Sequence, residues 1–371
     1  MADASIAAAA LAEIDTPSLV IDLDAMDRNI ARMAREAAAA GIRLRPHAKT
    51  HKCAEIARRQ VEAGAVGVAC QTLGEAEAMV AGGIADVLIT NQIVAPRKLA
   101  RVAALAGRAR LGICVDAAGP ARALSAVASA AGTEIGVLVE IDVGQGRCGI
   151  APGADAAGLA AEVASLAGLR LEGLQAYHGA AQHFRTPADR AVAIARAGAL
   201  TSQTVDALAA AGLQVGVVGG AGTGSYPLEA TSGIWTEIQP GSYLFMDADY
   251  ARNTADDRHP PFEHALFVLA EVISRRPGGH AVLDAGHKAS AIDSGVPVPH
   301  GLADAEITQM SDEHAVLSGA DLSLGERLLL VPGHIDPTVN LHDRMVGVRG
   351  LGTAAAQVER VFTVDARGAM R

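Results

Sequence analysis

The sequence predicts a (β/α)8 TIM barrel followed by a C-terminal all-β domain. Eight short runs rich in β-branched residues begin 19 to 43 residues apart, which leaves room for a crossover helix after each strand. Several runs are continuously apolar, as in 215–218, a pattern typical of parallel strands that are buried on both faces. Beyond about residue 250, short runs alternate with turns, as in an all-β domain. An open doubly wound sheet is the alternative for the first part.

The predicted elements follow from these runs in order. The barrel strands are Ile42–Ala48, Gly67–Cys70, Asp86–Thr90, Arg110–Val115, Glu134–Asp142, Leu171–Tyr177, Gln214–Gly219 and Glu237–Tyr243. The later strands are Ala265–Ser274, His280–Ala285, Arg327–Val331, Arg344–Arg349 and Val358–Asp365. A spare strand near Ser18 is expected to join the β domain, before a helix that begins at about Ala25 and is capped by Asp24. We therefore predict an N-terminal segment, 1–23, a barrel, 24–250, and a β domain, 251–371.

Composition limits the possible partners. Basic residues number 31 and acidic residues 41, so the formal charge is −10, and no basic block or aromatic cluster favours nucleic acid or an anionic membrane. The four cysteines lie far apart, which indicates neither a disulfide framework nor a thiolate zinc site and predicts a cytoplasmic protein. The first twelve residues lack a basic region and are expected to form a frayed or helical leader, not a signal peptide. No run of about 18 uncharged apolar residues predicts a membrane span.

Polar and glycine-rich clusters follow five of the predicted barrel strands. They are 45–52, 140–149, 177–183, 219–225 and 239–243. Because barrel chemistry is located at the C-terminal ends of the strands, these clusters are expected to meet on one face. The loop Gly219–Ser225 exposes backbone N–H groups that suit a phosphate, and barrels often bind phosphate after strands seven and eight. A plain turn is the alternative for this loop.

Lys49 is the candidate nucleophile. It follows the first strand among Arg45, His47 and His51, and we expect neighbouring positive charge and burial to lower its pKa. A neutral amine can form a Schiff base with a carbonyl group. A lysine and a phosphate-binding loop on one face of a barrel suggest an enzyme that uses pyridoxal 5'-phosphate (PLP) as its cofactor, or a sugar-phosphate aldolase whose lysine acts without a cofactor. A structural or surface lysine is the alternative.

His334 and Asp336 form the candidate metal pair. In an extended chain, residues two apart point the same way, so these two side chains are expected to converge. One imidazole and one carboxylate make a mixed nitrogen and oxygen site that suits Mn²⁺, Mg²⁺ or Co²⁺. The alternative is a turn before Pro337.

Taken together, the motifs resemble the D-threonine aldolase/D-serine dehydratase family, which comprises fold-type III PLP enzymes with the architecture of alanine racemase. The resemblance extends from about Thr16 to Gly368. It rests on 45–52, 142–149, 175–179, 219–225, 311–314 and 332–343. It implies a PLP-binding barrel, a C-terminal β domain and a homodimer.

The resemblance also implies a role for individual residues. Lys49 corresponds to the Schiff-base lysine and His183 to the base that acts on the substrate hydroxyl. The implied cofactor contacts are Arg147 and Tyr177 at the ring, Gly222, Thr223 and Gly224 at the phosphate, and Tyr243 nearby. His334 and Asp336 correspond to the metal ligands. The dehydratase branch often has cysteine and zinc at the second position, so Asp336 favours the aldolase branch, with Mn²⁺ foremost.

The implied reaction is reversible cleavage of a D-3-hydroxy amino acid, such as D-threonine, to glycine and an aldehyde. The first alternative is a dehydratase of D-serine or D-3-hydroxyaspartate. The second is a non-catalytic PLP carrier with the same barrel. Such carriers resemble the barrel alone, and the additional β domain with His334 and Asp336 argues against this alternative.

Overall fold

A computed structural model describes residues 11–255, 259–276 and 280–371. The predicted leader therefore lies almost entirely outside the described residues. The chain begins with strand β1 (Ser18–Asp22) and helix α1 (Leu23–Ala39). The expectation that Asp24 caps this helix is wrong, because the helix begins earlier and the Asp22 carboxylate accepts the N–H groups of Asp24 and Ala25. Asp24 pairs instead with Arg349, at 2.9 Å.

Eight parallel strands confirm the predicted barrel. They are β2 (Arg43–Leu44), β3 (Val68–Cys70), β4 (Asp86–Ile89), β5 (Arg110–Val115), β6 (Ile135–Glu140), β7 (Leu169–Ala176), β8 (Val217–Gly220) and β9 (Glu237–Ile238). Their order in the sheet is β2-β9-β8-β7-β6-β5-β4-β3. A parallel bridge between His47, which follows β2, and Ala69 in β3 closes the remaining gap between these two strands.

The first and last barrel strands are shorter than predicted. Each run contains a proline, Pro46 or Pro240, which has no N–H group for a ladder. After these prolines the chain forms 3₁₀ turns, Ala48–Thr50 and Ser242–Leu244. Both turns lie at the C-terminal rim of the barrel, where they position residues for a site.

Helices alternate with the strands and cover the barrel. They are α2 (Ala54–Glu62), α3 (Leu73–Ala81), α4 (Pro96–Ala106), α5 (Ala118–Ala131), α6 (Ala154–Ser165), α7 (Pro187–Ala210), α8 (Tyr226–Ala230) and α9 (Ala248–Ala251). Helix α10 (Ile335–Val339) belongs to the C-terminal part. Among the residues that the structure describes, no helix has the length and hydropathy needed to cross a membrane.

A second, mostly antiparallel sheet follows the barrel. Its later strands are β10 (Leu266–Arg276), β11 (His280–Leu283), β12 (Val298–Pro299), β13 (Glu306–Met310), β14 (Ala315–Ser318), β15 (Arg327–Val331), β16 (Arg344–Arg349) and β17 (Gln357–Thr363). Strand β1 pairs with β10 on one side and with β16 on the other. Strands β12 to β14 had not been predicted, because they are only two, five and four residues long. The proposed domain limits, 24–250 and 251–371, stay a prediction.

Candidate active site

A cavity of about 460 Å³ opens at the C-terminal ends of the barrel strands, against the turn that precedes α10. The predicted site residues whose atoms line it are Lys49, Arg147, Tyr177, His183, Gly222, Thr223, His334 and Asp336. Gly224 and Tyr243 are the two predicted residues that do not line it. The structure therefore brings together residues that lie almost 290 positions apart in sequence.

Lys49 lies in the 3₁₀ turn after β2, with Nζ 3.4 Å from Oδ2 of Asp336. Burial disfavours the charged amine, but the carboxylate of Asp336 outweighs this effect, so the pKa of Lys49 lies above its ordinary value. The expectation of a lowered pKa is therefore wrong for the protein without cofactor or metal. Its premise of positive neighbours fails as well.

The neighbours of Lys49 in sequence do not surround it with charge. Burial lowers the pKa of His47 to about 3 and that of His51 to about 4, so both imidazoles are neutral near pH 7. Arg45 extends toward the opposite end of the barrel, where it pairs with Asp86 and Glu237. Pro46 and the 3₁₀ turn Ala48–Thr50 interrupt the strand between Arg45 and Lys49, so adjacency in sequence did not mean adjacency in the site.

Arg147 and Tyr177 form one wall of the cavity. The guanidinium carbon of Arg147 lies 5.8 Å from the centre of the Tyr177 ring. Burial raises the pKa of the Tyr177 hydroxyl, so it stays protonated. Glu140, at the end of β6, also lines the cavity, and burial raises its pKa. A flat ring and a cation side by side suit the face and edge of a planar, anionic cofactor.

The glycine loop after β8 is built around Gln182. A Cβ on Gly222 would lie 2.5 Å from Gln182 Oε1, and a Cβ on Gly224 would lie 2.5 Å from the Gln182 carbonyl oxygen. Gln182 Oε1 accepts the N–H of Gly224, at 2.9 Å. The amide of Gly224 is thus used within the protein, while Gly222 and Thr223 face the cavity.

Behind this loop lies a chain of buried polar groups that the sequence did not reveal. Gln182 Nε2 donates to Ser225 Oγ at 2.7 Å, and Ser225 Oγ donates to Glu229 Oε1 at 2.8 Å. The other carboxylate oxygen of Glu229 is buried without a hydrogen-bond partner, and burial raises the pKa of Glu229 to about 7. These side chains fix the shape of the loop from behind.

Tyr243 is directed away from the cavity. Its side chain is fully buried, its ring packs edge-on against Phe262, and its hydroxyl accepts a hydrogen bond from Gln60 at 2.9 Å. Its backbone N–H contacts the glycine loop by donating a hydrogen bond to Thr223 Oγ1. Tyr250 is the aromatic residue that lines the cavity in addition to Tyr177, and sequence analysis missed it because it lies at the predicted domain limit.

His183 closes a short 3₁₀ turn, Ala180–His183, after β7. Its Nδ1 lies 2.5 Å from Oδ2 of Asp249, a buried carboxylate on α9. Burial disfavours ionisation of Asp249, but the guanidinium groups of Arg185 and Arg252 bind its other oxygen and hold its pKa at about 2. Asp249 was not predicted, because it is distant in sequence and no motif marks it.

His334 and Asp336 both face the cavity, but not for the predicted reason. The chain is extended at His334 itself, but α10 begins at the next residue and Asp336 lies in the first turn of that helix. Lys49 and His334 outweigh the effect of burial and lower the pKa of Asp336, so its carboxylate is ionised. Oδ1 of this carboxylate is buried without a hydrogen-bond partner. A buried carboxylate oxygen normally has a partner, and a bound cation would supply one here.

The donor set fits a divalent ion with open positions. Within the described ranges, no group of three or more His, Cys, Asp or Glu side chains is placed to hold a metal, so the protein would supply only two ligands. Catalytic metals keep positions for water or substrate, and an imidazole with a carboxylate suits Mn²⁺, Mg²⁺ or Co²⁺.

Comparisons with known proteins show the family of this chain. Residues 21–249 match the family described as "Alanine racemase, N-terminal domain", and residues 265–348 match a serine dehydratase domain. A 3-hydroxy-D-aspartate aldolase of Paracoccus denitrificans (strain Pd 1222) is 45% identical, with 96% of this chain and 93% of the relative covered. The crystal structure of D-threonine aldolase from Filomicrobium marinum is 52% identical, with a TM-score of 0.95 over 97% of this chain and 98% of that one.

A more distant relative has a different activity in its name. A D-threo-3-hydroxyaspartate dehydratase of Delftia sp. (strain HT23) is 34% identical, with 87% of this chain and 91% of the relative covered. The aldolases are thus more similar to this chain than the dehydratase is. The chain belongs to the D-threonine aldolase/D-serine dehydratase family, whose barrel is that of the alanine racemases.

Proposed function

We propose that this protein is a PLP- and divalent-metal-dependent aldolase that cleaves D-3-hydroxy amino acids, such as D-threonine, to glycine and an aldehyde. The observation that carries the proposal is one cavity lined by Lys49, His183 and the pair His334 and Asp336. The activities for which the relatives are named, D-threonine aldolase and 3-hydroxy-D-aspartate aldolase, support it. Both are carbon–carbon lyases.

Different residues of the same cavity would hold the cofactor and the metal. Lys49 Nζ would hold PLP covalently, with Arg147 and Tyr177 beside its ring and the loop at Gly222 and Thr223 at its phosphate. His334 and Asp336 would hold the divalent ion. When bound, PLP accepts the electron pair left on Cα as the Cα–Cβ bond breaks, and the ion lowers the pKa of the substrate β-hydroxyl.

His183 is the proposed base. Asp249 accepts a hydrogen bond from Nδ1, which leaves Nε2 unprotonated and able to accept the β-hydroxyl proton of the substrate. As the hydroxyl loses its proton, its oxygen becomes the carbonyl oxygen of the aldehyde. Asp249 then stabilises the positive imidazole, and the guanidinium groups of Arg185 and Arg252 keep that carboxylate ionised.

Three finer features belong to the same proposal. We assign Mn²⁺ as the native ion, a homodimer as the assembly and the cytoplasm as the location. The mixed ligand pair His334 and Asp336 supports the ion, with Mg²⁺ and Co²⁺ as alternatives. Metal analysis of the purified protein, light scattering and cell fractionation test these three assignments in turn.

The main test is product analysis with D-threonine, D-3-hydroxyaspartate and D-serine. An aldolase releases glycine and an aldehyde, whereas a dehydratase releases ammonia and a keto acid. Chelation should abolish turnover but leave the absorbance of bound PLP unchanged. Reduction with borohydride followed by peptide mapping should place the cofactor on Lys49. A label on Lys52, Lys98 or Lys288, or full activity without metal, would contradict the proposal.

A further inference from the structure

A second histidine of the cavity, His334, is also held by a carboxylate. Its Nδ1 lies 2.6 Å from Oδ2 of Asp293, a residue of the loop between β11 and β12. Nothing in the sequence connects the two, which are 41 positions apart. Asp293 does not line the cavity, so it lies behind the imidazole as seen from the site.

This contact decides which nitrogen of His334 faces the site. An ionised carboxylate only accepts hydrogen bonds, so the shared proton lies on Nδ1 of the imidazole. The lone pair of the neutral ring then lies on Nε2, at the opposite edge. A metal ion binds the neutral ring through such a lone pair, and a carboxylate on the other nitrogen fixes the ring and raises its basicity.

The loop that carries Asp293 is fastened to the turn that carries His334. The N–H of Ala291 donates to Thr338 Oγ1 at 3.1 Å, and Thr338 Oγ1 donates to the His334 carbonyl at 2.7 Å. A Cβ on Gly333 would lie 1.9 Å from the Gly295 carbonyl oxygen, so only glycine allows the loop to approach this closely. The backbone around Asp293 is therefore fixed on both sides, although its side chain is half exposed.

Arg252 connects this loop to the barrel. Its guanidinium donates to the Ser294 carbonyl at 2.8 Å and also to the carboxylate of Asp249, which holds His183. One arginine thus touches both supports, the carboxylate behind His183 and the loop behind His334. A surface ion pair alone would need none of these attachments and would contribute little to stability.

We propose that Asp293 is the positioning residue of the metal centre: its carboxylate accepts a hydrogen bond from Nδ1 of His334 and so turns Nε2 of that ring toward the ion. The inference rests on the proposed function, since it needs the ion at His334 and Asp336. Loss of such a supporting carboxylate typically lowers metal affinity by about 10- to 100-fold. Asp293 neither touches the ion nor binds the substrate.

The test measures Mn²⁺ affinity, by calorimetry and by the electron paramagnetic resonance signal of free Mn²⁺, on the PLP-loaded protein. Asp293→Ala should bind Mn²⁺ about 10- to 100-fold more weakly than wild type. Asp293→Asn keeps the shape of the loop and an acceptor oxygen but loses the charge, so it should lie between the two. PLP affinity, measured by absorbance titration, should be unchanged in both variants.

Asp343→Ala is the matched control, because Asp343 is an exposed carboxylate near α10 that pairs with Arg367 instead of a histidine. It should bind Mn²⁺ as wild type does. Equal Mn²⁺ affinity of wild type and Asp293→Ala would contradict the inference about Asp293 but not the proposed function. An equal loss of Mn²⁺ affinity in the Asp343→Ala control would do the same. If wild type holds no Mn²⁺ at all, the proposed metal site is wrong and the inference falls with it.

Discussion

Nδ1 of His183 lies 2.5 Å from Oδ2 of Asp249, and the two residues come from different connections of the barrel. His183 follows β7, whereas Asp249 lies on α9 after the last strand. The other oxygen of the carboxylate is bound by Arg185 and Arg252. Asp249 therefore stays charged and keeps one orientation, which fixes the imidazole of His183.

Asp249→Asn should slow turnover by roughly 10- to 100-fold, without loss of PLP, because an amide can present an N–H to Nδ1 and favour the wrong tautomer. The two guanidinium groups would also remain unneutralised and disfavour the positive imidazole. Steady-state kinetics should show the loss in kcat, with KM little changed. Recovery of activity in Asp249→Glu would separate positioning from a structural role, and an Asp249→Asn enzyme with native kcat would remove Asp249 from the mechanism.

His183→Ala should retain PLP and bind a D-3-hydroxy amino acid, but its cleavage rate should fall by about 10²- to 10⁴-fold, the usual contribution of a general base. His178 provides the matched control, because it lies five positions earlier, does not line the cavity and packs its ring against Phe184. His178→Ala should lower stability more than turnover. Rapid-quench measurement of aldehyde release checks both variants. Near-native cleavage by His183→Ala would show that His183 is not the base, and a hydroxide at the proposed metal site would then be the leading candidate.

A buried cluster of ion pairs lies at the end of the barrel opposite to the cavity. Arg45 pairs with Glu237 at 2.9 Å and with Asp86 at 2.7 Å, and the side chains of Arg45 and Glu237 are almost fully buried. Arg45→Met leaves the half-exposed Arg43, at 3.7 Å, as the cation nearest to Glu237, and should lower the free energy of unfolding by about 3–5 kcal/mol.

Urea unfolding of the PLP-loaded protein measures this loss, while kcat of the folded enzyme should stay unchanged because neither Arg45, Asp86 nor Glu237 lines the cavity. The double variant Arg45→Met with Glu237→Gln removes the uncompensated charge as well. It should be more stable than Arg45→Met alone, and a double variant with no recovery would refute the buried charge as the cause.

The barrel and the order of its strands could be predicted because β-branched runs and helical spacing are local signals. The same signals located Lys49, the glycine loop and His183 at strand ends, and the strand ends then met as expected. What failed were statements about the direction of a side chain. Arg45 turned away from Lys49, and the ring of Tyr243 turned into the core, because prolines and 3₁₀ turns interrupt the strands there.

The supports of the site could not be predicted at all. Asp249 and Asp293 act through contacts over 66 and 41 positions, and a lone aspartate carries no periodic or spacing signal. Gln182 and Glu229 are likewise recognisable only once the loop is seen to fold over them. Sequence pattern therefore reached many of the residues that line the cavity, though not Tyr250, and packing was needed for those that orient them.

The stability of the protein should fall as the pH rises through the titration of Glu229. Burial raises the pKa of this carboxyl to about 7, against 4.5 for an exposed glutamate, and outweighs the hydrogen bond that Ser225 donates to it. Between pH 4.5 and 7 the unfolded chain releases this proton while the folded chain retains it, so a rise in pH favours unfolding. Each pKa unit corresponds to about 1.4 kcal/mol, which makes the full effect about 3 kcal/mol.

Glu229→Gln removes the titrating group but keeps the acceptor for Ser225. Its free energy of unfolding should therefore depend less on pH between 4.5 and 7 than that of wild type, and the difference between the two proteins should stay constant above pH 8. Urea unfolding at a series of pH values, with PLP at saturation, measures both curves, and other titrating groups cancel in the comparison. Parallel curves would mean that Glu229 ionises with an ordinary pKa in the folded protein. The buried polar groups behind the glycine loop would then carry a negative charge throughout the neutral range.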